Sequence, residues 1–267
     1  MIKICEMKTK VFLFFLSICL LNACEEKKFD GEVVFGTIDF IKNGSEIDPD
    51  TTKHYEAQIK YYNIVEAPEY LKDSINKQTK VFLSNWFDVP QSGELDIDQI
   101  ITNDLRSFYE QIDSLDDNDC LTCRTKKIKI EGDNFYQNRD LISISYKWYI
   151  YEGGAHGNYG EICYNYEKAT GKKINYKALI KNEDEFLKLA LKTFKEQHSN
   201  GASEPISDIF NFENNKFHLT NNFSFTKDGI IFYYNPYEIA PYALGLIELF
   251  LPYDQLNGLI NYINHIQ

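Results

Sequence analysis

The hydrophobic period of this chain changes in blocks, and the order of those blocks limits the folds open to it. Segments 33–41 and 55–65 read as strands, separated by a polar loop that contains Asn43-Gly44-Ser45 and an Asp-Pro step. Two stretches of helical period follow. Over 70–87, Leu71, Ile75, Phe82 and Trp86 share one stripe; over 97–115, Ile101, Leu105, Phe108 and Ile112 do. Strand patterns return at 127–135, 141–151 and 159–166, and Ser143, Ser145 and Lys147 alternate with Ile142, Ile144 and Tyr146 as in a half-buried strand. A helix is predicted over 184–197, a hairpin over 223–234 around Lys227-Asp228-Gly229 and a strand over 246–251. Pro252 then introduces a predicted terminal helix over 253–263. Strands and helices that come in groups, without strict alternation, specify an α+β fold. Its expected form is antiparallel sheets with helices packed on one face, in two closely associated subdomains. The 19 tyrosines and 19 phenylalanines, against 2 methionines, agree with aromatic strands.

The first 25 residues carry a different signal. Lys8 and Lys10 precede an apolar run over 11–21 that is too short to cross a bilayer core of roughly 30 Å as a helix. Leu21-Asn22-Ala23-Cys24 ends that run and resembles a bacterial lipobox: an aliphatic residue, a small residue before the cut, and a thiol to accept acyl chains. The expectation is a signal peptide over 1–23 and a lipidated tether over 24–31. An N-terminal α+β subdomain over 32–138 and a C-terminal one over 139–267 complete the expected layout. Lipid on Cys24 is the expected link to a membrane, which places the protein in the cell envelope as an outer-membrane lipoprotein. Glu25-Glu26-Lys27-Lys28 resembles the surface-export signals of Bacteroidetes lipoproteins.

Net charge narrows the partners. The whole chain carries −12, and after loss of residues 1–23 it has 25 basic against 39 acidic residues, or −14. Such a surface repels nucleic acid and attracts cationic proteins. Cys120-Leu121-Thr122-Cys123 has the spacing of a redox or zinc half-site, but Cys163 alone does not supply the two further ligands that zinc needs. The motif also lies beside an acidic, turn-prone loop, where a thioredoxin-type motif would open a helix. The reading is a small loop-closing disulfide between Cys120 and Cys123 in an oxidising compartment. The acidic stretch lacks the glycine and glutamate of an EF-hand loop, so no metal and no cofactor is expected.

Two loops have unusual composition. Glu152-Gly153-Gly154-Ala155-His156-Gly157-Asn158 folds tightly enough to fix His156, and Asn235-Pro236-Tyr237-Glu238-Ile239-Ala240-Pro241-Tyr242-Ala243 is a proline-stiffened aromatic segment. With Thr170-Gly171-Lys172, Asp228-Gly229, Gly245 and Pro252-Tyr253-x-x-Leu256, they resemble a family of extracytoplasmic domains. That family is shared by RsiV-type anti-sigma factors and the N-terminal region of PdaC-type peptidoglycan deacetylases. The resemblance is specific over 140–260; over 30–135 only the strand-then-two-helices layout matches. It implies a compact α+β domain outside the membrane whose relatives bind lysozyme or accompany peptidoglycan-modifying enzymes. With neither a sigma-binding region nor an appended deacetylase domain in view, the signalling and deacetylase roles are not expected here.

None of the five histidines falls in an HExxH motif, and no GxSxG is present, so no catalytic residue is assigned. The expected function is non-catalytic binding of an envelope ligand through His156, Tyr237, Glu238 and Tyr242. That ligand is a cationic protein such as lysozyme, which the charge favours, or a peptidoglycan glycan. The alternative is a glycan-modifying enzyme that pairs His156 with Glu152 or Glu238. A histidine in such a hairpin also has a purely structural use, closing the turn by hydrogen bonds. Tyr237 and Tyr242 have one too, as core aromatics.

Overall fold

Pro68 fixes the start of the first helix. Its carbonyl accepts from the N–H groups of Leu71 and Lys72 at 3.0 and 3.1 Å, and helix α1 runs Glu69–Ser84 in the computed structural model. The structure describes residues 29, 31–46, 52–87, 96–115, 124–198, 206 and 209–262. Helix α2 (Ile97–Asp113) opens with a capping box: Asp96 Oδ1 accepts from Gln99 N at 2.9 Å, and Gln99 Oε1 accepts from Asp96 N at 3.2 Å. Both apolar stripes are buried, Leu71, Ile75 and Phe82 on one helix and Ile101, Leu105, Phe108 and Ile112 on the other.

Both helices lie on one face of a five-stranded sheet. Its strands are β1 (Val34–Asn43), β2 (His54–Glu66), β3 (Thr125–Gln137), β4 (Leu141–Tyr151) and β5 (Asn158–Glu167), side by side in chain order. Tyr55, Ala57, Ile59, Ile128, Ile130, Ile142 and Ile144 form the sheet side of that core. Every pairing is antiparallel except β2–β3, which is parallel. The exception has a simple cause: α1 and α2 sit between these two strands and return the chain to the end where it began.

The second layer is a three-stranded antiparallel sheet of β6 (Phe223–Phe225), β7 (Gly229–Tyr234) and β8 (Ile247–Pro252). The chain reaches it through a single turn, α3 (Tyr176–Leu179), and helix α4 (Glu183–His198). Phe186, Ala190 and Phe194 of α4 pack with Phe223, Phe232 and Leu249 in a second core. The mixed α+β architecture with helices on one face of the main sheet is the expected one. The line expected at 138/139 falls in the β3–β4 hairpin, so the five-stranded sheet draws strands from both sides of it.

Two local expectations are corrected. The serine face of β4 is not solvated, since Ser143 and Ser145 are fully buried. Ser143 Oγ donates to Asn165 Oδ1 at 2.6 Å, lies 2.9 Å from Ser224 Oγ and accepts from Phe225 N at 3.1 Å. The second sheet therefore seals this part of the first through a hydrogen-bonded polar seam, in which each buried polar group needs its partner. The terminal helix over 253–263 is also absent among the described residues. The 3₁₀ turn Tyr253–Gln255 gives way to a turn in which Gly258 takes φ +78°, and Ile260 forms a β-bridge with Ile180. A left-handed residue there stops helical propagation.

Among the described residues, no sixth strand joins the sheet beyond β5. Asn222 Nδ2 donates to Glu161 O and Asn222 Oδ1 accepts from Cys163 N, both at 2.8 Å, while Asn235 Oδ1 accepts from Glu161 N at 2.8 Å. Two asparagines of the second layer thus occupy the edge that another strand would otherwise pair with.

Candidate functional site

The two unusual loops meet. The β4–β5 hairpin turns through Gly153 and Gly154, at φ +94° and +93°, conformations that glycine adopts without steric cost. This brings His156 beside Gly157, whose carbonyl accepts twice: from His156 Nδ1 at 2.8 Å and from the Tyr242 hydroxyl at 2.8 Å. A carbonyl can only accept, so His156 carries its hydrogen on Nδ1. The His156 and Tyr242 rings stack at 4.1 Å with a 23° interplanar angle. Tyr159 meets Tyr242 edge-on at 5.5 Å, and Tyr237 lies 5.6 Å from Tyr242.

Tyr237 is 61% exposed and takes φ +72°, a conformation that a bulky side chain adopts only under strain. Hydrogen bonds from Tyr237 N to Ala240 O (3.1 Å) and from Glu238 N to Asn235 O (3.0 Å) hold it there. The carboxylates considered for His156 are engaged elsewhere. Glu152 lies 3.3 Å from Lys126 Nζ, and Glu238 accepts from Asn235 Nδ2 at 3.2 Å. Cys24, Cys120 and Cys123 lie outside the described residues. Cys163 is buried, and burial first, then the nearby charges of Glu161, Asp133 and Glu248, push its thiol well above the ordinary value, so it makes a poor nucleophile or metal ligand.

The aromatic patch continues into a groove of about 300 Å³ on the face of the main sheet away from α1 and α2. Lys129 and Glu131 of β3, Lys147 and Tyr149 of β4, Tyr159 of β5 and Leu246 are among the residues that line it. Tyr149 and Tyr159 are direct cross-strand partners, as are Glu131 and Lys147. Lys129 pairs with Glu131 at 3.3 Å and Lys147 with Asp133 at 2.8 Å. Sequence reasoning found the loops but missed this groove. The available signal was hairpin register: pairing β4 with β5 around the Gly-Gly-Ala-His-Gly turn sets Tyr149 opposite Tyr159.

Next to the groove, Glu161 is only 1% exposed, and its Oε1 has no hydrogen-bond partner among the described residues. Burial raises its carboxyl pKa above the usual 4.5, against a hydrogen bond from Ser145 that lowers it. The folded chain therefore keeps this proton to higher pH than the unfolded chain. Its contribution to stability is fully present below about 4.5 and is lost as pH rises through the raised folded value. Glu161→Gln is expected to raise the melting temperature at pH 7 by a few degrees, at about 2–4 °C per kcal/mol for a domain of this size, and to change little near pH 4. Thermal melts across that range check it; a variant that melts lower than wild type at pH 7 would sink the assignment.

Comparison with known proteins places this geometry. A model of the family described as Deacetylase PdaC matches residues 49–159, including the stretch where the sequence alone offered only a layout. A second model, DUF3298 (protein of unknown function), matches residues 172–254. His156 falls in the first match and Tyr237, Glu238 and Tyr242 in the second, so the site forms where the two matched segments touch. A crystal structure of a DUF3298 family member from Bacteroides fragilis covers 90% of this chain and 99% of its own at 21% identity, with a TM-score of 0.71. One from Pseudomonas aeruginosa covers 88% and 97% at 18% identity, with a TM-score of 0.63, and the two likenesses establish a shared fold. The curated relatives are the immunogenic proteins MPT64 of Mycobacterium tuberculosis and MPB64 of Mycobacterium bovis. Each is 24% identical over 129 residues, 46% of this chain, and the chain spans about half their length (53%). With both segment matches set in tandem on one shared fold, the chain is a PdaC- and DUF3298-like extracytoplasmic domain of the cell envelope.

Proposed function

We propose that this protein is a lipid-anchored envelope protein that binds peptidoglycan-type glycan without modifying it, in the groove between Tyr149, Tyr159 and Leu246. The observation that carries this reading is the make-up of the groove: tyrosine rings for sugar faces beside paired charges of both signs for hydroxyls. His156 supports a binding role, because its Nδ1 is committed to Gly157 O and its ring to Tyr242. The anchor is Cys24. Lys168, 2% exposed, donates to Gly31 O at 2.8 Å and pins the start of the fold, so the tether over 24–31 keeps the domain within about 25 Å of the lipid. Metabolic labelling with palmitate checks the anchor, since Cys24→Ala should lose the label.

Isothermal titration with N-acetylglucosamine oligomers tests the binding role. Tyr149→Ala should weaken binding at least about fivefold, the roughly 1 kcal/mol of an aromatic contact, and Tyr149→Phe should retain most of it. Absence of any binding by the wild type would refute the glycan reading. A second reading is a cationic protein such as lysozyme, favoured by the net charge of −12 and by the exposed Tyr237 ring. Capture of lysozyme at low salt that weakens at moderate salt would support it.

A further inference from the structure

The register of the five-stranded sheet places an alternating row of charges straight across it. Asp39 of β1 is partnered by Lys60 of β2, Lys60 by Glu131 of β3, Glu131 by Lys147 of β4, and Lys147 by Glu161 of β5. The next row, one pleat along, is Ile41, Gln58, Lys129, Tyr149 and Tyr159. A second cavity of about 170 Å³ lies over the β1 end of these rows, between Asp39, Ile41, Gln58 and Lys60. It shares Lys129 and Glu131 with the tyrosine groove of about 300 Å³. The two cavities therefore adjoin at the Lys129–Glu131 pair, and a trough that joins them would cross the strands at right angles.

We infer that this trough holds a linear, uncharged, hydroxyl-rich polymer, a glycan strand laid across β1 to β5, with the tyrosine groove as its first subsite. The inference rests on the glycan reading above and extends it from a sugar unit to a chain. Charge complementarity selects the occupant. The chain as a whole carries −12, but this face is balanced, with acid and base alternating along the row. A cationic or anionic polymer gains nothing from a neutral lane. A sugar chain, whose hydroxyls both donate and accept, finds an ammonium and a carboxylate in turn. Strands spaced about 4.8 Å apart make the trough about 15–20 Å long, several sugar units. At the β5 end the second sheet closes over the row, where Glu161 is buried; at the β1 end the row meets an edge strand, so a longer polymer can pass out over it.

The test is chain-length dependence with N-acetylglucosamine oligomers as probes. Wild type should bind the hexasaccharide about tenfold more tightly than the disaccharide, the gain of one or two further charge-assisted hydrogen bonds. Lys60→Ala should collapse that ratio towards one, whereas Tyr149→Ala should weaken both oligomers. Equal affinity for the two oligomers in wild type, or a ratio untouched by Lys60→Ala, overturns the trough and leaves the tyrosine groove standing. Failure of both oligomers to bind overturns both readings. Displacement of the hexasaccharide by oligolysine would assign the trough to a cationic chain instead.

Discussion

Replacing Asp104 with alanine is expected to destabilise the fold by about 3–5 kcal/mol, the usual result of removing one member of a buried ion pair. At about 2–4 °C per kcal/mol, the melting temperature should fall by roughly 6–20 °C. Asp104 projects from α2, is 1% exposed, and accepts from Tyr55 Oη at 2.8 Å and Lys126 Nζ at 2.9 Å. Tyr55 and Lys126 are register partners in the one parallel strand pair, so a single carboxylate staples the helix to β2 and β3 together. Without it, the Lys126 ammonium stays buried, and among the described residues only the exposed Glu152, at 3.3 Å, is paired with it to offset its charge. That rim contact argues for the lower half of the range. The double variant Asp104→Leu/Lys126→Met should recover much of the loss, because a packed apolar pair of similar volume carries no desolvation penalty. Chemical or thermal denaturation reads the effect; an alanine variant within about 0.5 kcal/mol of wild type, the usual range for a surface change, would show that the pair is not structural.

Asp104 also shows how far this fold is legible in its sequence. The helical stripe through Ile101, Leu105 and Phe108 is plain, and the acid beside it reads as part of a solvated face, because period alone does not reveal a lysine arriving from β3. Ser143 and Ser145 mislead for the same reason. Alternation marks one face of β4 as polar, but whether water or another sheet covers that face depends on β6, some eighty residues later in the chain. The loops were legible because glycine, proline and tyrosine have local conformational and surface consequences. Their meeting at Gly157 O was not, since it joins residues 85 apart. The groove was least visible of all: Tyr149, Tyr159, Lys129 and Lys147 are ordinary strand residues one by one, and only cross-strand register makes them a surface. The terminal helix failed at Gly258, where apolar spacing outweighed a turn signal that was present in Asn257-Gly258.

Gly160→Ala is expected to damage both stability and the site, through one methyl group. Gly160 lies in β5 opposite Trp148, and a Cβ there would sit 2.3 Å from Asn235 Oδ1 and 2.8 Å from Trp148 Cζ2. Trp148 packs against Trp86, with ring centroids 4.4 Å apart and a 32° tilt, and has little room to retreat, so Asn235 is the group that must move. Moving it breaks the 2.8 Å bond from Glu161 N, leaving an unpaired N–H at the sheet edge. Overpacking costs about 1–3 kcal/mol and an unsatisfied buried donor about 1–3 more, so a melting temperature lower by roughly 10 °C is expected. Asn235 also begins the tyrosine loop: its side chain donates to Glu238 and its carbonyl accepts from Glu238 N. Its displacement should therefore release Tyr237 and Tyr242, seen as faster amide exchange over 235–245, and weaken glycan binding beyond the loss of folded protein. A double-mutant cycle separates clash from lost bond. Asn235→Ala alone removes the bond without the clash, and Gly160→Ala/Asn235→Ala should be less destabilised than the sum of the two single changes. Strict additivity would mean that the methyl is accommodated against Trp148, and that the loop is held to the sheet by something other than this asparagine.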